Sequence, residues 1–281
     1  MTNKGHCLCG VVTWEFDTEP FYAFNCHCTM CQKAHGTAFG TYWFFKADQI
    51  RITGGDDLIV GYRSSDVLVR TSCDVCGSVV PYPSDDASIW IAPAGCHDDG
   101  RGSDYDIFIA DNAPWHDLTG HLPRCDAYPE ESGIPSVSFD PPGEPVEGVV
   151  RGSCLCGTVR YHVTKPMTVA HYCHCSRCRH GRAAAHASNG FTSLDGVTFL
   201  QGEDNLREYK VPDATFFTQV FCKTCSSPMP RLDEGRGVAI VPLGGLDDDP
   251  GIKPVDHIFV DSMAGWHEIT GDLPCFPEGP G

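Results

Sequence analysis

Cys26-His27-Cys28-Thr29-Met30-Cys31 decides the reading of this chain, because it returns as Cys173-His174-Cys175-Ser176-Arg177-Cys178. Its neighbourhood returns with it. Cys7-Leu8-Cys9-Gly10 precedes the first loop and Cys154-Leu155-Cys156-Gly157 the second. Cys73-Asp74-Val75-Cys76 follows the first and Cys222-Lys223-Thr224-Cys225 the second. The copies close on Trp115-His116-Asp117-Leu118-Thr119-Gly120 and Trp266-His267-Glu268-Ile269-Thr270-Gly271. The offset is 147 residues at the first two motifs, 149 at the third and 151 at the last, the drift that loop insertions produce. Copies of roughly 130 residues are tandem domains, not a solenoid of short repeats. Residues 126–147 hold five prolines and six acidic residues with no Lys or Arg, the composition of an extended linker. The division expected is therefore a first domain over 1–125, a linker over 126–147 and a second domain over 148–281.

The chain has 281 residues, 41% of them hydrophobic, and a formal charge of −17. That is enough apolar material for a core, and the charge repels phosphate backbones and anionic lipid, so neither nucleic acid nor membrane is an expected partner. No apolar run reaches membrane-spanning length. The N-terminus lacks the apolar stretch of a secretion signal, and a cytoplasmic location is the expectation. In a reducing compartment 17 cysteines at close spacing bind metal more often than they pair as disulfides.

Short β-branched and aromatic runs bounded by turn residues predict strands at 11–16, 58–62, 67–71, 88–92 and 107–110. The second copy repeats this at 158–163, 197–200, 216–221 and 238–241. A helical turn is expected after each Cys-His-Cys-x-x-Cys, near 29–34 and 176–180. The fold class is mainly β, two small antiparallel domains tied by metal.

Each copy holds seven cysteines in motifs. A closed zinc site takes four thiolates, and an open one takes three protein ligands. Spacing suggests Cys7, Cys9, Cys73 and Cys76 as one staple and Cys154, Cys156, Cys222 and Cys225 as the other. Cys26, Cys28 and Cys31, and Cys173, Cys175 and Cys178, are then three-thiolate sites, for about four zincs per chain. Other pairings, or one bridged cluster per copy, remain open on spacing alone. His27 and His174 are expected to point away from the metal. Cys96, Cys125 and Cys275 are expected to be ordinary thiols, with Leu246 at the position matching Cys96.

These motifs resemble the glutathione-dependent formaldehyde-activating enzyme family, also called the centromere protein V family, of the Mss4-like fold. The resemblance rests on the two Cys-Leu-Cys-Gly segments, the two six-residue loops, Cys73–Gly77 and Cys222–Cys225, and the Trp-His tails, and covers nearly the whole chain twice. It implies two Mss4-like zinc domains, the same division into four and three, and a three-cysteine zinc at which glutathione or a similar thiol meets its carbon partner. One copy is usual in the family, so the second domain here stands where a homodimer partner would. Ser226 replaces the usual glycine after the second Cys-x-x-Cys, which puts that turn in question.

Three thiolates damp the Lewis acidity of zinc and suit it to sulfur. The expected activity is carbon–sulfur lyase chemistry like that of S-(hydroxymethyl)glutathione synthase, at Cys26, Cys28 and Cys31 or at Cys173, Cys175 and Cys178. An anionic thiol needs local positive charge in so acidic a chain. Arg177, Arg179 and Arg182 cluster by the second loop and Lys33 marks the first, so Arg177, Arg179 and Lys33 are expected to bind substrate, with the second copy favoured. His35, His116, His186 and His267 are candidates for proton transfer, and Trp115 and Trp266 are expected in the core or between the copies. The competing class is a zinc-stabilised binding scaffold, in which His27 and His174 close the three-cysteine sites.

Overall fold

A computed structural model describes residues 2–66, 68–129 and 137–279. Met1, Val67, 130–136 of the linker and the last two residues lie outside it, and with them the first residue of the strand expected at 67–71 and part of the linker. Each copy is built from the same parts. A three-stranded antiparallel sheet joins Asn3–His6, Thr13–Phe16 and Ile50–Gly54, and again Val150–Ser153, Arg160–Val163 and Val197–Gln201. A hairpin follows, Ile59–Ser65 with Leu68–Cys73, and Leu206–Lys210 with Thr218–Cys222. A six-stranded sheet completes each copy, and it is mixed. Tyr105–Ile107 runs parallel to Tyr22–Cys26 and to Arg124–Cys125, as His257–Ile258 does to Val169–Cys173 and to Cys275–Phe276. The expected antiparallel pairing thus holds for most strands but not for those carrying the tail motifs. The run expected as a strand at 107–110 stops at Ile107, because Phe108 turns left-handed at φ 59° and opens a 3-10 turn.

Two short helices follow the Cys-His-Cys loops, α1 (Thr29–His35) and α2 (Ser176–Arg182). Each starts on a cysteine. Cys28 Sγ accepts from Cys31 N at 3.4 Å, and Cys175 Sγ from Cys178 N at 3.4 Å, so the sulfurs cap orphan helix donors as a serine would.

One apolar core runs through both copies. Each helix packs on the 3-10 turn of the other copy, Ala94–Cys96 or Leu243–Gly245. A Cβ at Gly95 would stand 2.0 Å from Ala184 N, and one at Gly244 2.4 Å from Thr37 N, so glycine is required for these close approaches. The match also makes Gly245, not Leu246, the counterpart of Cys96. Trp115 is buried, and buried Trp266 meets Trp43 of the first copy edge-on at 5.9 Å. Ser226 keeps the turn that Gly77 makes. Both are left-handed, at φ 57° and 74°, and both close on the first cysteine's carbonyl. Serine bears that conformation where its Oγ meets Ser72 Oγ at 2.6 Å, while a Cβ at Gly77 would strike Phe221 at 2.6 Å.

Candidate metal centres and a candidate active site

The Cys-x-Cys turns bring their sulfurs against the Cys-x-x-Cys knuckles at the hairpin ends. Cys7 and Cys9 Sγ stand 3.4 Å apart and Cys9 and Cys73 3.7 Å; Cys154 and Cys156 stand 3.4 Å apart and Cys156 and Cys222 3.7 Å. Within each group of four every sulfur lies within 4.8 Å of the others. Tetrahedral zinc at about 2.3 Å from sulfur sets its ligands about 3.8 Å apart, so both groups fit one ion. Backbone amides support the sulfurs, Val12 N donating to Cys7 at 3.4 Å and Val159 N to Cys154 at 3.2 Å.

Cys26, Cys28 and Cys31 form a third group, and Cys173, Cys175 and Cys178 a fourth. No histidine joins either among the described residues. His27 is held instead by Asp106 at 3.2 Å and Asn112 at 3.1 Å, and His174 by His257 at 2.9 Å. Both point away from the sulfurs.

The surroundings of the two three-sulfur groups differ. In the first copy the group is buried, with Cys26, Cys28 and Cys31 at 5%, 5% and 3% exposure. Arg70 donates to Cys31 Sγ at 3.4 Å and to Tyr42 OH at 2.9 Å, and Tyr42 OH bonds His35 Nε2 at 2.6 Å. Tyr128, from the Pro-rich segment, packs edge-on against Phe108 at 4.8 Å. In the second copy Cys173 and Cys178 are buried too, at 7% and 8%, but Cys175 is partly exposed and all three line a cavity of about 730 Å³. Strand register aligns the two sets of walls. Asn189 stands where the first copy has Tyr42, and Arg231 where it has Tyr82. His171 replaces Phe24, and Asp256, bonded to it at 2.6 Å, replaces Phe24's neighbour Tyr105. Arg182 replaces His35 at the end of the helix. The second pocket has gained polar and cationic groups where the first is filled with rings. Cys175, partly exposed, has its thiol held down to about 3 by the hydrogen bond from Cys173 and then by that from Cys178.

The glutathione-dependent formaldehyde-activating enzyme family model matches residues 2–111 and again 149–262. The chain belongs to this family. No curated protein matches it. Among solved structures, a Rhodobacter sphaeroides protein matches at 23% identity over 44% of this chain and 98% of its own, with a TM-score of 0.30.

For this family member the expected substrate cations are only partly in place. Arg177 lines the second cavity. Lys33 and Arg179 do not serve a pocket, because both are consumed between the copies. Lys33 Nζ is buried against Ser153 O, Ser153 Oγ and Gly245 O, with Asp247 Oδ1 at 2.6 Å. Arg179 crosses the other way to His97 O at 3.1 Å and Asp98 Oδ1 at 2.5 Å. The spacing carried this signal: on a helix Cys178 shares a face with the residue four on, Arg182, not with its neighbour. Arg182, Arg231 and Arg236, with Phe216, line the cavity.

Three of the four histidines proposed for proton transfer lie elsewhere. His116, His186 and His267 line a separate cavity of about 1030 Å³ between the copies. Burial holds His116 down to about 3, His267 to about 4, and His186 well below its ordinary value. His35 sits by the first sulfur group, held by burial at about 4. His171, which sequence reasoning missed, shares its strand face with Cys173, two residues away. Cys96 is a buried thiol facing Val79 O, and Cys125 and Cys275 sit on the outer strands.

Proposed function

We propose that the second copy carries the family's chemistry, joining a glutathione-like thiol to an aldehyde carbon, and that the first copy's three-sulfur site is structural. The observation that supports this most is the contrast between a group that lines a cation-lined cavity with Cys175 partly exposed and a group buried at all three cysteines, with Arg70 bonded to Cys31 and Tyr42. Cys173, Cys175 and Cys178 are the donors for one zinc, Cys26, Cys28 and Cys31 for another, and the two groups of four for two more. Bound there, zinc supplies a site that lowers the pKa of an incoming thiol and accepts its sulfur. Arg177, Arg231 and Arg236 orient the thiol's carboxylates at the mouth; Arg231 and Arg236 share a single carboxylate, Asp233, so cationic charge remains for the ligand. The sulfur bonds to the aldehyde carbon and the thiol proton ends on the former carbonyl oxygen. His171, fixed by Asp256 at Nδ1, leaves Nε2 to carry that proton. The reverse steps cleave the adduct.

The scaffold reading fits the first copy, where all three cysteines are buried and Arg70 and Tyr42 stand against Cys31. The test is paired substitution. Cys175→Ala abolishes formation of S-(hydroxymethyl)glutathione from formaldehyde and glutathione, and Cys28→Ala leaves it within severalfold. Activity that survives Cys175→Ala and dies with Cys28→Ala reverses the assignment.

A further inference from the structure

We propose that the aldehyde handled at the second centre carries its own carboxylate and that Arg182 receives it. The proposal rests on the thiol–aldehyde reading above and names its carbon partner.

Arg182 is the innermost cation of the cavity. It stands one helical turn beyond Cys178 on α2, on the face that carries the sulfur, and it is nine-tenths buried. Its Nη2 donates to Asn189 Oδ1 at 3.2 Å, and its Nη1 has no partner. The other buried cations of the two helices are answered, Lys33 by Asp247 and Arg179 by Asp98. No carboxylate answers Arg182 among the described residues. A buried guanidinium without a carboxylate is costly, and burial holds Arg182 down to about 10 with the Cys178 sulfur opposing. Arg182 is fixed in place: its carbonyl accepts from His35 Nδ1 of the first copy at 2.6 Å. At this position the first copy has His35, bonded on both nitrogens, and its own buried guanidinium, Arg70, spends both terminal nitrogens on Cys31 Sγ and Tyr42 OH, leaving only Nε without a partner.

The position selects the ligand. The carboxylates of a glutathione-like thiol are several bonds from its sulfur and reach the mouth. A group beside Cys178 meets what is attached directly to the sulfur. In the adduct of a thiol with formaldehyde that is a hydroxymethyl group. In the adduct with an aldehyde whose carbonyl carbon bears a carboxylate it is a carbon bearing hydroxyl and carboxylate, and a guanidinium fork matches carboxylate geometry. The reaction balances without an oxidant. The C–S bond forms, the C=O π bond opens, and the thiol proton passes to that oxygen. A cavity of about 730 Å³ holds a tripeptide with such a partner.

Two stable thioethers test this on the zinc-loaded full chain by calorimetry, S-carboxymethylglutathione and S-methylglutathione. The carboxymethyl compound is expected to bind at least tenfold more tightly. Arg182→Gln is expected to bring the two within twofold while S-methyl affinity holds within threefold. If the Gln variant does not fold, Arg182→Lys keeps the buried cation and loses the fork, and the ratio is expected to shrink. Equal affinities for wild type overturn the carboxylate and leave the thiol reading standing. A ratio unchanged in the variants, or equal loss of both ligands, overturns the role of Arg182. Failure of both ligands to bind wild type sinks the thiol reading and this proposal with it.

Discussion

Lys33→Met removes the most buried cation in the molecule. Lys33 is fully buried and Asp247 1% exposed at its side chain. The substitution fills similar space without the ammonium. It strips Asp247 of its ion pair at 2.6 Å and leaves it the Ser153 hydroxyl at 2.9 Å. Ser153 O and Gly245 O lose a donor as well. Breaking one side of a buried pair costs about 3–5 kcal/mol, because the surviving charge has nowhere to go. A domain of ordinary stability has about 5–15 kcal/mol in all, so the loss is a large fraction. Burial already pushes Lys33 below its ordinary pKa against the pull of Asp247, which means that much of the pair's attraction is spent on desolvation. The double variant Lys33→Met with Asp247→Leu is therefore expected to recover most of the loss, ending within about 1–2 kcal/mol of wild type. Urea unfolding at constant free zinc, followed by tryptophan fluorescence, gives all four corners of the cycle. A single variant that costs under about 1 kcal/mol, or losses that simply add, would refute the view that this lysine locks the copies together.

Tyr128→Ala is expected to raise the rate at which iodoacetamide modifies Cys26, Cys28 and Cys31 in zinc-stripped protein by about tenfold or more, without changing turnover; equal rates would mean that Tyr128 does not shield them. Acid stability reports on the histidines between the copies. Their folded pKa values lie below the ordinary 6.5, at about 3 for His116 and about 4 for His267, so the unfolded chain binds the extra protons. Stability is then complete above pH 6.5 and falls as the pH drops toward 3–4, at up to about 1.4 kcal/mol per unit per histidine. His267→Gln should flatten that slope between pH 6.5 and 5, and an unaltered slope would count against a buried neutral imidazole.

The repeat, the close-spaced cysteine motifs and the short helices were legible because ligand spacing is a local property; the division into four and three was suggested by spacing but left open, since Cys9 meets Cys73, and Cys156 meets Cys222, only across a long stretch of chain. The parallel strands were not, since Tyr105–Ile107 and His257–Ile258 find their partners some eighty residues away. The misplaced cations show the same limit. Lys33 and Arg179 stand beside the thiolate loops in sequence, yet a helix turns them to the opposite copy, and only the packing of two copies supplies the carboxylates that bury them. Helical spacing alone would have chosen Arg182. The asymmetry between the centres hides in ordinary substitutions, Tyr42 to Asn189 and Phe24 to His171, that acquire meaning once strand register aligns them. Among the described residues no helix is long and apolar enough to cross a membrane.

The most direct test of the claim that one centre works and its twin is closed is ¹¹³Cd NMR of cadmium-substituted protein titrated with glutathione. Four resonances are expected. One should shift with glutathione and be absent from Cys175→Ala, while the other three stay in place. A shift at the resonance lost in Cys28→Ala, or equal shifts at both three-sulfur centres, would contradict the account.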